Sequence, residues 1–148
     1  MSFRSDLAFG EQGELFILKK LHYKYPKAYK VEGYYKEWDL FIPEKGIGIE
    51  VKNDRKTHES GNVVIEYQYG GKPSGIQTTK AAWWAYLTKD NLYWITPDKI
   101  KECIKDYNLK AVRYPPIADE YSYKDLYLIQ EKTFKKYAKR SERLNGRD

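Results

Sequence analysis

Three things are scarce in this chain, and each scarcity closes off a class of chemistry. One cysteine, Cys103, in 148 residues rules out an internal disulfide and any zinc site built from cysteines alone, and it fits a reducing compartment. Only two histidines occur, with no second histidine or cysteine at metal-ligand spacing, which argues against zinc in any form. Apolar runs are short: none approaches the roughly 18 residues needed to cross a bilayer, so no membrane role is expected. The first residues, MSFRSDLAFGEQGELF, lack the apolar region of a secretory signal and read as a helix. An intracellular, cytoplasmic protein is therefore expected, not a secreted one.

What the chain does contain is consistent with one folded domain spanning 1–148. Apolar residues make up 41% of it, which is too many for a disordered chain. Basic residues outnumber acidic ones by 27 to 21, for a net charge of +6, an excess compatible with a polyanionic partner. Fifteen tyrosines interleaved with lysines suit contacts to bases and sugar-phosphate, although a small protein can also build its core and rim from tyrosine.

The periodicity predicts a first helix over 5–21, with Ser5 or Asp6 as its cap. Leu7, Gly10, Glu14, Ile17 and Leu21 fall on one stripe, so Glu14 lies within or beside the buried face, and Gly10 and Gly13 would permit close approach. A strand is expected around Tyr29–Tyr34, then hairpin strands near Glu37–Ile42 and Ile47–Asn53, a polar loop containing His58 and Glu59, and a strand at Asn62–Tyr69. Ser74 and Gln77 match a capping box that would open a second helix over about 75–88, carrying Ile76, Lys80, Trp83, Trp84 and Leu87. The N–H groups of its first turn would offer a corner for phosphate. A short strand at Leu92–Ile95 follows, then a third helix opened by Thr96-Pro97, two strands near Lys110–Tyr114 and Asp125–Ile129, and a last helix over Glu131–Arg143. The expected class is α/β, a mixed central sheet flanked by helices on its faces.

The stretch with chemistry in it is YYKEWDLFIPEKGIGIEVKND, Tyr34 to Asp54. A loop Pro43-Glu44-Lys45-Gly46 suits a hairpin, because proline accepts the fixed φ at the turn start and glycine the positive φ at its end. Ile42 then faces Ile47, and counting back along both strands sets Asp39 opposite Glu50, with Lys52 on the same face as Glu50 through the period of two. Singly, each of these charges reads as a solvated polar residue. Jointly, two carboxylates and an ammonium among apolar neighbours read as a site for a hard cation, Mg²⁺ or Mn²⁺, bound through oxygen. Lys52 could position or deprotonate water, or offset developing negative charge.

With Glu14 added from the first helix, the pattern resembles the PD-(D/E)XK nuclease superfamily. The motif is Trp38-Asp39, ten residues, then Glu50-Val51-Lys52, and GEQGE supplies the helical glutamate. Trp38 stands where the family usually has proline, and the Gln-x-x-x-Tyr pattern of some members fails because Ala81 follows Gln77 by four. The resemblance implies a restriction-endonuclease-like α-β-β-β-α-β core over about 5–96 with a C-terminal α-β-β-α extension. It implies that Asp39, Glu50 and the Val51 carbonyl hold the metal, that Glu14 is a direct or water-mediated ligand, and that Lys52 is the catalytic lysine.

A metal-dependent DNA endonuclease follows as the expectation, acting on branched or otherwise structured DNA as a homodimer or higher oligomer. A sequence-specific restriction or homing-type enzyme would use the same core, and a non-catalytic DNA-binding protein on a nuclease fold is the alternative. By position and charge, Asn53, Arg55 and Lys56, then Lys72, Ser74 and Lys80, are the candidate phosphate contacts.

Overall fold

The loop Pro43–Gly46 closes the hairpin in the register that its residues imply. Ile42 pairs with Ile47 and Leu40 with Ile49, and Gly46 adopts φ +65° and returns its N–H to the Ile42 carbonyl at 2.8 Å. The computed structural model describes the backbone at residues 3–34, 36–117 and 120–144, and side chains from Leu7 onward apart from His58. The hairpin strands are β2 (Leu40–Ile42) and β3 (Ile47–Asn53), and a two-residue β1 (Tyr29–Lys30) lies antiparallel on β2. Beyond β3 come β6 (Trp83–Leu87), parallel to it, β7 (Asn91–Ile95) and the edge strand β10 (Arg140–Arg143). These make a six-stranded mixed sheet in the order β1-β2-β3-β6-β7-β10.

One face of that sheet is covered by α1 (Phe3–His22). Ile17 is fully buried there with Leu40, Ile49, Val51, Ala85, Leu87 and Leu92. The helix is already under way at Phe3, so Ser5 and Asp6 lie inside it and not at its cap, and their side chains fall outside the described residues. Leu7, expected on the buried stripe, is half exposed. Of the two glycines expected to permit close approach, only Gly13 does: a Cβ there would lie 2.9 Å from Asn53 Cβ, whereas one at Gly10 would meet nothing within 4 Å.

The opposite face packs not on a helical layer alone but chiefly on a second, antiparallel sheet. Its strands are β4 (Asn62–Tyr69), β5 (Lys72–Pro73), β8 (Val112–Tyr114) and β9 (Lys124–Gln130), in the order β5-β4-β9-β8. Trp84, Tyr86, Tyr93 and Ile95 of the mixed sheet bury against Val63, Ile65 and Ile129, together with Ile100 and Cys103 of α3 (Pro97–Asp106) and Phe134 of α4 (Glu131–Tyr137). The cap of α3 forms as read: Thr96 accepts from the Lys99 N–H, and Pro97 stands at the first helical position. A single-turn α2 (Thr57–Ser60) precedes β4. Among the described residues no helix is long and apolar enough to cross a membrane.

Two expected helices are corrected. The segment over 75–88 contains only a 3-10 turn, Gly75–Gln77, followed by the strand β6. Trp84 through Leu87 are buried on both faces because β6 lies between α1 and the second sheet. A strand enclosed on both sides loses its alternation, and its apolar run then matches helical spacing by accident. The crossover from β3 to its parallel partner therefore runs through the single-turn α2, β4, β5 and the 3-10 turn, not through the expected helix over 75–88. The last helix likewise stops at Tyr137; Ala138 turns extended and Arg140–Arg143 pairs with β7, Arg140 opposite Trp94. The free edge of β7 offers backbone partners that a further helical turn could not reach, and an Arg-rich strand suits an exposed edge.

Candidate active site

Asp39 stands immediately before β2, and its own side chain closes the ladder there. Its N–H donates to the Ile49 carbonyl at 3.0 Å, while its Oδ2 accepts the Val51 N–H at 2.8 Å, taking over a ladder bond. Because Gly48 O accepts from Ala82 on the β6 side and Ile49 O from Asp39, strand alternation turns the Val51 carbonyl toward Asp39 as well. The Val51 side chain points the other way, into the core beneath α1. Trp38 lies over Gly48 and stacks on Phe41 at 5.6 Å; a Cβ on residue 48 would fall 2.0 Å from the indole. The small residue in GIGIEVK thus seats the tryptophan that precedes the aspartate.

Glu14 reaches the same place from α1, held there by the close fit of Gly13 on Asn53 and by the Asn53 side-chain amide, which donates to the Phe9 carbonyl at 2.8 Å. Its carboxylate is nearly buried and lies between two lysines: Lys30 Nζ is 3.8 Å from Oε1, and Lys36 Nζ is 3.7 Å from Oε2. Lys36 also pairs with Asp39 Oδ1 at 3.2 Å. On the other side of Asp39, Glu50 Oε2 pairs with Lys52 Nζ at 3.3 Å.

In this cluster burial works against ionisation of the acids. Burial, with the adjacent Asp39 charge, raises the Glu14 carboxyl from its ordinary 4.5 to about 7, against the pull of Lys36 and Lys30. Burial also lifts the Glu50 carboxyl; Lys52 offsets this in part and Asp39 adds to it. Burial works against the charge on Lys52, but Glu50 and Asp39 outweigh it, with a contribution from Glu66, and its pKa stands above the ordinary value. Lys36 behaves in the same way: burial is overcome by Asp39 and Glu14. Without a further cation, both lysines are ammonium groups and two of the carboxyls are reluctant to ionise.

The structure links Glu14, Asp39, Glu50 and Lys52 in pairs, Glu14 to Asp39 through Lys36 and Glu50 to Lys52, with Asp39 acting on both glutamates, and it adds neighbours that the sequence did not point to. Lys36 and Lys30 were invisible because their role depends on where α1 and the β1–β2 segment come to lie. Glu66, on β4, also acts on Lys52. Asn53, Arg55 and Lys56 line a cleft on the far side of Lys52.

The second group of phosphate candidates is placed differently. No helix forms at Ser74, so the expected phosphate corner is lost; Ser74 makes no side-chain cap, its Oγ is buried without a partner among the described residues, and Gln77 donates instead to the Tyr67 carbonyl at 2.7 Å. Lys72 is exposed on β5, and Lys80 forms an exposed pair with Glu37 at 3.4 Å. No described hydrogen bond or ion pair joins these three to the carboxylate cluster.

Among the described residues, no three His, Cys, Asp or Glu side chains are already drawn together as a metal-ligand set. The donors nevertheless fit a hard divalent ion. Among the described residues the buried Glu14 Oε1 has no hydrogen-bond partner, burial raises the Glu14 and Glu50 carboxyls, and an ammonium, Lys36, bridges Glu14 and Asp39 where a cation is favoured. Comparisons with protein-family models, with curated proteins and with solved structures returned no match to this chain.

Proposed function

We propose that the protein is a Mg²⁺- or Mn²⁺-dependent deoxyribonuclease of the PD-(D/E)XK type, hydrolysing phosphodiester bonds within DNA. One observation carries the reading: Asp39, just before β2, acts on both Glu14 and Glu50, whose buried carboxyls are raised, and Glu50 pairs at 3.3 Å with a Lys52 that keeps its proton. Binding of nucleic acid alone gains nothing from clustered carboxylates beside phosphate, whereas hydrolysis uses them. Asp39, Glu50 and the Val51 carbonyl would hold the ion, with Glu14 a direct or water-mediated ligand. When bound, such an ion lowers the pKa of water and offsets the charge that develops on phosphorus oxygens.

The chain's own part is then positioning. Asp39 is fixed by the Val51 N–H and by Trp38 seated on Gly48, and Glu50 is fixed by its strand. Lys52, as an ammonium, orients the attacked phosphate and stabilises its added negative charge; its raised pKa favours this role over proton abstraction. Branched or structured DNA remains the substrate class we favour.

The bridging of Glu14 and Asp39 by Lys36 and the strand crossover favour a second reading, a DNA-binding protein on a nuclease-like fold without catalysis. Incubation of supercoiled plasmid and synthetic four-way junctions with Mg²⁺ separates the two. Nicking that is lost in both D39A and K52A supports the nuclease. Cleavage surviving both substitutions, or tight binding with no cleavage of any DNA form, overturns it.

A further inference from the structure

Beside the carboxylate cluster, and sharing Lys52 with it, lies a cleft of ≈ 420 Å³ between the first turns of α1 and the end of β3. The volume falls in the roughly 300–1,000 Å³ range of small-molecule sites, which suits one nucleotide and not a stacked duplex. Its lining combines two chemistries. The Arg55 guanidinium lies over the Phe9 ring, 3.9 Å from the ring centroid, as a layered aromatic-cationic shelf. Lys52 and Lys56 add their charges to the same lining.

The single carboxylate in the wall, Asp54, is already used. Its Oδ1 accepts the N–H groups of Lys56 and Thr57 at 2.7 and 3.0 Å, and its Oδ2 accepts the Tyr86 hydroxyl at 2.5 Å. Three donors thus spread its charge, and the cleft presents a net positive surface with a stacking face. The shelf is held rigid, since the Asn53 side chain ties the Phe9 carbonyl to the end of β3.

We propose that this cleft takes an unpaired nucleotide of the DNA strand, its base on the Phe9–Arg55 shelf and its phosphates between Lys52 and Lys56. A base paired and stacked in a duplex cannot enter a cavity of this size, so the enzyme would select strands with an unpaired base next to the cleaved phosphate: flaps, overhangs, or the opened arms of a branch. This rests on the nuclease reading for its biological meaning, but not for its test.

Fluorescence anisotropy in EDTA, where no metal-dependent cleavage occurs, compares the full-length protein on three probes. These are a single-stranded dodecamer, a blunt hairpin duplex, and the same hairpin with an unpaired overhang. The single strand and the overhang should bind more tightly than the blunt duplex. F9A should weaken them by roughly 5- to 150-fold, the span of one base–aromatic stack, and leave the blunt duplex unchanged. F9W should restore binding, which separates loss of stacking from loss of fold. Equal affinity for all three probes, no binding to any of them, or an F9A loss that is the same on the blunt duplex overturns the proposal. Retained preference for unpaired strands in a protein that cleaves nothing with Mg²⁺ would sink the nuclease reading while leaving the cleft's assignment standing.

Discussion

Replacing Glu14 with glutamine should stabilise the metal-free protein at alkaline pH and do almost nothing in acid. In the unfolded chain the Glu14 proton leaves near 4.5, whereas in the folded protein burial and Asp39 hold it to about 7. Between those values the native state binds a proton that the unfolded state has released, so stability falls as pH rises through the window. The full contribution is present below 4.5 and is lost above 7. At about 1.4 kcal/mol per pH unit, a separation from 4.5 to about 7 amounts to about 3 kcal/mol, and with the side chain only 12% exposed, solvent screening removes little of it. Glutamine keeps the shape and has no proton to lose. Thermal unfolding followed by circular dichroism in EDTA should give nearly equal Tm values at pH 4.5 and a Tm higher by roughly 6–12 °C for E14Q at pH 8.5, at roughly 2–4 °C per kcal/mol for a chain of this size. Saturating Mn²⁺ should reverse the order, because the wild type gains binding free energy that E14Q forgoes. A difference that does not change with pH, or an E14Q protein less stable at pH 8.5, would refute the electrostatic account of the cluster.

Two further substitutions probe the same site. K36M removes the ammonium that stands 3.2 Å from Asp39 and 3.7 Å from Glu14, so Mn²⁺ affinity by calorimetry should rise roughly tenfold or more, the scale of one charged hydrogen bond; unchanged or weaker affinity would show that Lys36 does not compete for the ion's place. G48A puts a methyl 2.0 Å from the Trp38 ring, so urea unfolding should reveal a loss of roughly 1–3 kcal/mol, together with weaker Mn²⁺ binding as Asp39 follows its neighbour. Stability and metal affinity both equal to wild type would mean that the tryptophan does not seat the aspartate.

The hairpin was legible because everything that sets it is local. Pro43 and Gly46 define the loop, the period of two runs through Gly48, Glu50 and Lys52, and the register needs only counting; pairing Ile42 with Ile47 carries Asp39 to its place opposite Glu50. The cap of α3 at Thr96-Pro97 and the strand at Asn62–Tyr69 were legible for the same reason. Glu14 was readable as a charge on a partly buried stripe, though not its distance from Asp39.

What local pattern could not decide was anything that depends on a second surface. β6 is a strand because two layers enclose it, and that enclosure erases the alternation that would have marked it. The helix at Ser74 fails because Gln77 and the Ser74 N–H both turn back to Tyr67 of β4, a bond across a strand end that helical spacing does not register. Lys36 against Glu14 and Phe9 beneath Arg55 likewise join residues distant in the chain. The sequence alone determined which charges the hairpin carries and in what register, since backbone geometry repeats over short range. Only the tertiary structure decided which cations and rings surround them, since desolvation and Coulomb forces act between whatever surfaces folding brings together.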